Sequence, residues 1–196
     1  MVYSDITFSQ LYEKFGIEQL SAEVFDSKSI KSIAPSARLR QDIKDGQSMP
    51  LYSEKAKSEA LIYPIIREIK NRNPQISVFS GYTFNVNGIL AGAPDFMIAA
   101  KPNLIEPQRP IFCMIESKNK APDEGYAQCA AEMYAAKCFN EQMKEPSDVI
   151  YGAVTNAFEW VFLKLENNTI YVDSQRHYLN ELPKLLGIFQ HIIASI

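Results

Sequence analysis

The run Ile111-Phe112-Cys113-Met114-Ile115 constrains this chain more than any other stretch of it. Successive side chains of a strand point to opposite faces, so an unbroken apolar run of this length describes a strand covered on both sides. Such a strand belongs in the interior of a sheet covered above and below, which predicts an α/β fold. The run then ends abruptly in charge, at Glu116-Ser117-Lys118. Period-two alternation puts Glu116 and Lys118 on one face, so a buried strand delivers a carboxylate and an ammonium to one end of the sheet.

The flanking segments supply the layers. Ser53 to Lys70 predicts a helix, because Leu61, Ile62, Ile65, Ile66 and Ile69 recur on one side; Ser53 caps its start and Pro64 predicts a kink. Ile76 to Phe79, Tyr82 to Phe84 and Ile89 to Ala100 read as extended, with Asn87-Gly88 as a hairpin turn, so a long hairpin precedes the apolar strand. After that strand, Pro122, Asp123 and Glu124 open a helix that runs to about Lys144, before Pro146. Val149 to Thr155, Glu159 to Leu165 and Thr169 to Val172 are strand-like, Asn167-Asn168 is a turn, and Tyr178 to Ile193 is a last amphipathic helix. Residues 1–52 read as an N-terminal extension, and residues 53–196 as one globular domain. Within the extension, Phe8, Leu11, Tyr12, Phe15 and Ile17 mark a short helical arm, and Lys28 to Lys44 is a basic loop interrupted by Pro35.

Composition narrows the chemistry. The chain has 196 residues, 46% of them hydrophobic and 22% charged, which fits a folded domain and excludes disorder. No apolar run reaches the ~18 residues of a membrane span, and Met1 to Asp5 lacks the pattern of a signal peptide, so a cytoplasmic protein without a membrane partner is expected. The three cysteines form no Cys-x-x-Cys pair, and His177 and His191 are the only histidines. A three-histidine zinc centre is thereby excluded, a thiolate zinc site is not suggested, and a serine or cysteine nucleophile has few bases to call on. Catalysis would rest on carboxylates and lysine. A net charge of -3 removes any global basic field, so phosphate binding would depend on a local patch.

Asp95, in Gly92-Ala93-Pro94-Asp95-Phe96-Met97-Ile98, is the natural companion of Glu116. If the strand following Asp95 pairs antiparallel with the apolar strand, the two carboxylates and Lys118 converge, a cluster that is costly unless a cation relieves it. Oxygen ligands favour Mg²⁺ or Mn²⁺, and metal, carboxylates and lysine together suit hydrolysis of a phosphodiester. Glu59, on the preceding helix, is a candidate third carboxylate, and Gln128, on the following helix, is placed to steady Lys118 or touch the phosphate.

With these residues the chain resembles the PD-(D/E)XK nuclease superfamily and its restriction-endonuclease-like fold. Pro94-Asp95 matches the first half of the motif, Glu116-Ser117-Lys118 the second, and Ser58-Glu59-Ala60-Leu61-Ile62-Tyr63-Pro64 the helical glutamate of many members. The resemblance covers about Ser53 to Leu165. It implies an α/β, three-layer core with a central mixed sheet flanked by helices, in the order helix-strand-strand-strand-helix-strand, and Mg²⁺-dependent cleavage of DNA, with Asp95 and Glu116 as metal ligands, Lys118 as the catalytic lysine and Glu59 as an auxiliary ligand. Homodimers are common among such proteins, and the resemblance extends that expectation here. RecB-like relatives carry Gln-x-x-x-Tyr on the helix after the lysine, whereas this chain has Gln128-Cys129-Ala130-Ala131-Glu132, with its tyrosine at Tyr134.

Two other readings stand beside the nuclease. One is a catalytically silent module of the same fold that binds nucleic acid or a protein partner, motivated by the acidic pI of about 5.5. The other is hydrolysis of a smaller phosphodiester, because the cluster does not identify what carries the phosphate.

Overall fold

The computed structural model describes residues 2–26, 28–86, 90–107 and 110–195. Helix α1 (Phe8–Phe15) opens with a capping box in which Thr7 and Gln10 serve each other's backbone, and it closes at Gly16 in the left-handed conformation. Strand β1 (Glu18–Ala22) follows directly. The basic stretch is a loop only as far as Pro35: Ser36 caps a helix, α2 (Ala37–Gln47), that the charge pattern concealed. Leu39 and Ile43 of α2 are buried, and they join the same core as Leu61 and Ile65.

The helix expected from Ser53 is interrupted. Ser53 caps α3 (Glu54–Lys57), a single π-turn spans Ser58–Ile62, and α4 (Tyr63–Arg72) carries Pro64 in its first turn. Proline lacks an N–H and crowds the carbonyl one turn earlier, and the wider π-turn accommodates both defects without a break.

Next come β2 (Ser77–Ser80), β3 (Phe84–Val86), β4 (Leu90–Gly92) and β5 (Phe96–Ala99). The long hairpin is thus two nested pairs: β2 pairs antiparallel with β5, and β3 with β4 forms a separate two-stranded sheet. The Asn87-Gly88 turn lies outside the described residues. Strand β6 (Ile111–Ser117) is buried at every position. A 3₁₀ turn at Pro122–Gly125 leads into α5 (Tyr126–Gln142), followed by β7 (Val149–Thr155), β8 (Glu159–Glu166), β9 (Thr169–Asp173), the short β10 (His177–Tyr178) and α6 (Leu182–Ala194). The last helix begins later than its periodicity predicts, because His177 and Tyr178 pair with Trp160 and Glu159 of β8.

These elements build a mixed, eight-stranded sheet in the order β1-β9-β8-β7-β6-β5-β2, with β10 beside β8. Helices α2, α4 and α6 cover one face, and α5, α1 and the β3–β4 hairpin cover the other. The strand covered on both faces that the apolar run predicts is β6, and the three-layer α/β architecture with a mixed sheet is the one the resemblance implies, consistent with a restriction-endonuclease-like core. Strand β6 is antiparallel to β5 and parallel to β7, with α5 as the crossover between the parallel pair. Residues 18–22 complete the sheet through parallel pairing with β9. Cys113 and Cys129 are buried and unbridged, and Cys138 is half-buried and unbridged. Among the described residues no helix is long and apolar enough to cross a membrane.

Candidate active site at the end of the central strand

Asp95 immediately precedes β5, and Glu116 lies near the end of β6. The antiparallel register sets Phe96 against Ile115, so the next step along each strand puts Asp95 beside Glu116. Oδ2 of Asp95 accepts two hydrogen bonds from Ser117, from its backbone N–H at 2.7 Å and its hydroxyl at 2.5 Å. The Lys118 backbone N–H donates to the Thr155 carbonyl at 2.8 Å, which extends the β6–β7 pairing and fixes where the lysine leaves the sheet.

The Lys118 ammonium donates to Glu116 Oε1 and to Gln128 Oε1, each at 2.8 Å. Gln128 in turn donates from Nε2 to Oε1 of Glu132, at 3.2 Å, one turn further along α5. Gly125 lets this helix start close to the lysine: a Cβ there would sit 2.9 Å from Lys118 Cε and 2.7 Å from Val154 Cγ1.

Burial sets the electrostatics. Glu116 is 4% exposed, and among the described residues its Oε2 has no hydrogen-bond partner. Desolvation and the neighbouring Asp95 push its carboxyl up to about 7, against the opposing pull of Lys118. Burial disfavours the Lys118 ammonium, but the charge and hydrogen bond of Glu116 outweigh it, so the lysine is held above its usual value and stays protonated. Glu132 is fully buried, and desolvation together with the charge on Glu116 drives its carboxyl well above the carboxylate range. Its Oε2 also lacks a partner.

Of the residues singled out from the sequence, Asp95, Glu116, Lys118 and Gln128 are gathered in one cluster. Glu59 is not brought there. It lies on the outward side of the π-turn with its side chain 70% exposed, 3.9 Å from Lys55. The glutamate that α3 brings to the cluster is Glu54, whose carboxyl is raised by burial and Asp95 while Lys118 and the Asn119 backbone pull it down. Glu54 had a sequence signal, since it lies seven residues before Leu61 and eleven before Ile65, on the apolar stripe of the helix. Ser117 and Glu132 went unassigned: one is the middle residue of a three-residue motif, and the other is a charge inside an Ala-rich helix.

Among the described residues, no group of three or more His, Cys, Asp or Glu side chains comes together to hold a metal. Mg²⁺ keeps most of its waters and takes one or two carboxylates, and the pair Asp95 and Glu116, with an orphaned buried oxygen on Glu116, fits that requirement.

No family model matches the chain, and no curated protein matches it in sequence. Among solved structures, it is similar to a chain of the DrdV–DNA complex, determined by cryo-electron microscopy, at 11% identity and a TM-score of 0.47. The match covers 79% of this chain but only 13% of that one.

Proposed function

We propose that this protein is a metal-dependent nuclease that hydrolyses phosphodiester bonds of DNA at the cluster of Asp95, Glu116 and Lys118. One observation carries the reading: two carboxylates and a lysine meet where the central strand ends, and a buried Glu116 oxygen there has no partner among the described residues. Asp95 and Glu116 would hold Mg²⁺, or Mn²⁺ in its place, with Glu54 near enough to act through water. The bound ion supplies positive charge that polarises the phosphodiester and makes the attacking water more acidic.

The chain's own residues do the rest. Ser117 holds Asp95 through two hydrogen bonds, so this carboxylate is oriented before any substrate arrives. Lys118 spends two of its three N–H donors on Glu116 and Gln128, which leaves the third for the attacking water or a phosphate oxygen. Because the lysine stays protonated, it orients and stabilises negative charge rather than abstracting a proton.

The test is cleavage of supercoiled and linear DNA by purified protein with Mg²⁺, Mn²⁺ or EDTA, beside Glu116→Gln. Metal-dependent cutting that is lost in the variant supports the nuclease. No cutting by either folded protein rejects it in favour of the silent binding module, and cutting confined to short or cyclic phosphodiesters moves the substrate to a smaller molecule.

A further inference from the structure

Glu132 has no part in the reading above, yet it is buried completely beneath the cluster, with one carboxyl oxygen that has no partner among the described residues. A carboxyl group is expensive to bury, and an apolar side chain of similar volume in its place is often neutral or stabilising. Among the described residues its hydrogen bond to a side chain is to Gln128, and Gln128 in turn bonds Lys118.

The direction of that bond matters. A glutamine amide has an accepting end and a donating end of nearly equal shape, and either can face a neighbour. Lys118 has only donors, so Gln128 supports it only with Oε1 turned toward the ammonium. Glu132 Oε1 accepts from Nε2 at the opposite end and so favours that one orientation. Ionised or protonated, the carboxyl offers an accepting oxygen to Nε2; a protonated one also carries an O–H donor, but a reversed amide would turn its N–H₂ group on Lys118, so the observed orientation is the one that serves both neighbours.

We infer that Glu132 is a positioning residue, which fixes the Gln128 amide so that its oxygen faces Lys118 and the lysine is aimed at the reacting phosphodiester. This role rests on the nuclease reading for its catalytic meaning, but the orientation of the amide can be measured without it.

The experiment compares the full-length protein with Glu132→Met and Glu132→Gln. Methionine fills the space and cannot accept, whereas glutamine restores an acceptor without a charge. In ¹⁵N-labelled protein, the Gln128 side-chain N–H signals are expected to be shifted and protected from exchange in the parent and in Glu132→Gln, and to lose both properties in Glu132→Met. With supercoiled plasmid and Mg²⁺, Glu132→Met should lower kcat about tenfold with little change in KM, and Glu132→Gln should recover most of that loss. The thermal midpoint of Glu132→Met should equal or exceed that of the parent.

A Gln128 signal unaltered in Glu132→Met overturns the inference. So does a loss of stability that tracks the loss of turnover in both variants, because that describes a structural role. If the parent cuts no DNA, the nuclease reading fails by itself, and the amide signal still decides whether Glu132 orients Gln128.

Discussion

Ser117 grips the Asp95 carboxylate from two directions, with its backbone N–H at 2.7 Å and its hydroxyl at 2.5 Å, and so ties the start of β5 to the end of β6. Ser117→Ala removes the hydroxyl donor and keeps the backbone one. A single hydrogen bond to a charged group is worth about 1.5–3 kcal/mol, so cleavage should fall by about tenfold or more while metal dependence persists. Plasmid nicking over a Mg²⁺ titration reads both quantities.

Gly125 is required by space rather than by backbone conformation. A methyl group there would press on Lys118 Cε at 2.9 Å and on Val154 Cγ1 at 2.7 Å, and Val154 is fully buried. Gly125→Ala should destabilise by about 1–3 kcal/mol, the usual cost of overpacking, and should lower kcat more than it alters KM. Urea unfolding beside steady-state cleavage separates the two effects.

Glu116 makes stability depend on pH. Its carboxyl rises from 4.5 to about 7 on folding, so the folded state binds the proton more tightly than the unfolded one. Its contribution is complete below 4.5 and is lost as pH climbs through 7; Glu132 and Glu54, also raised, act in the same direction. Glu68 opposes them on the acid side: burial alone would raise it, but hydrogen bonds from Ser36 and Arg72 hold it low, so its contribution fades on acidification. Without added metal, the parent should lose stability between pH 5 and pH 8, and Glu116→Gln should lose less, as thermal midpoints across the range will report.

The two helical glutamates offer a direct comparison. Glu54 shares the field of Asp95 and Lys118, whereas Glu59 projects into solvent beside Lys55. Glu54→Gln should therefore weaken Mg²⁺ binding, read by calorimetry, more than Glu59→Gln does. The reverse ranking would return the auxiliary role to Glu59.

Asn140 holds the other end of the central strand. Its fully buried side chain donates to the Ile111 carbonyl at 2.7 Å and accepts from the Ile111 N–H at 2.9 Å, which pins the start of β6 to α5. Asn140→Ala leaves two buried backbone groups unpaired, and a loss of about 2–4 kcal/mol is expected in urea unfolding, with residual activity unaltered per folded molecule.

What the sequence made legible follows from where packing is periodic. The unbroken run from Ile111 to Ile115 announced a strand buried on both faces, and alternation was enough to place Glu116 and Lys118 together and Asp95 opposite. Strand β1 could not be read that way, since four of its five residues are exposed and no alternation survives at that edge. Helix α2 was hidden by its own charges: only Leu39, Ile43 and Gly46 turn inward among basic and polar neighbours. Glu132 was concealed for the opposite reason, because α5 is buried around much of its circumference and offers no polar face on which a functional glutamate would stand out.

The pairing of β1 with β9 also governs when the molecule can be finished. Glu18 lies against Thr169 and Ala22 against Asp173, and Asp173 Oδ1 accepts from the Val24 backbone at 3.3 Å. During synthesis, the segment that becomes β1 leaves the ribosome well before its partner β9, and most of the strands that follow it emerge before that pairing can form. Its exposed, polar character is what lets it wait in water, and its docking is a late, long-range closure of the kind that makes folding slow.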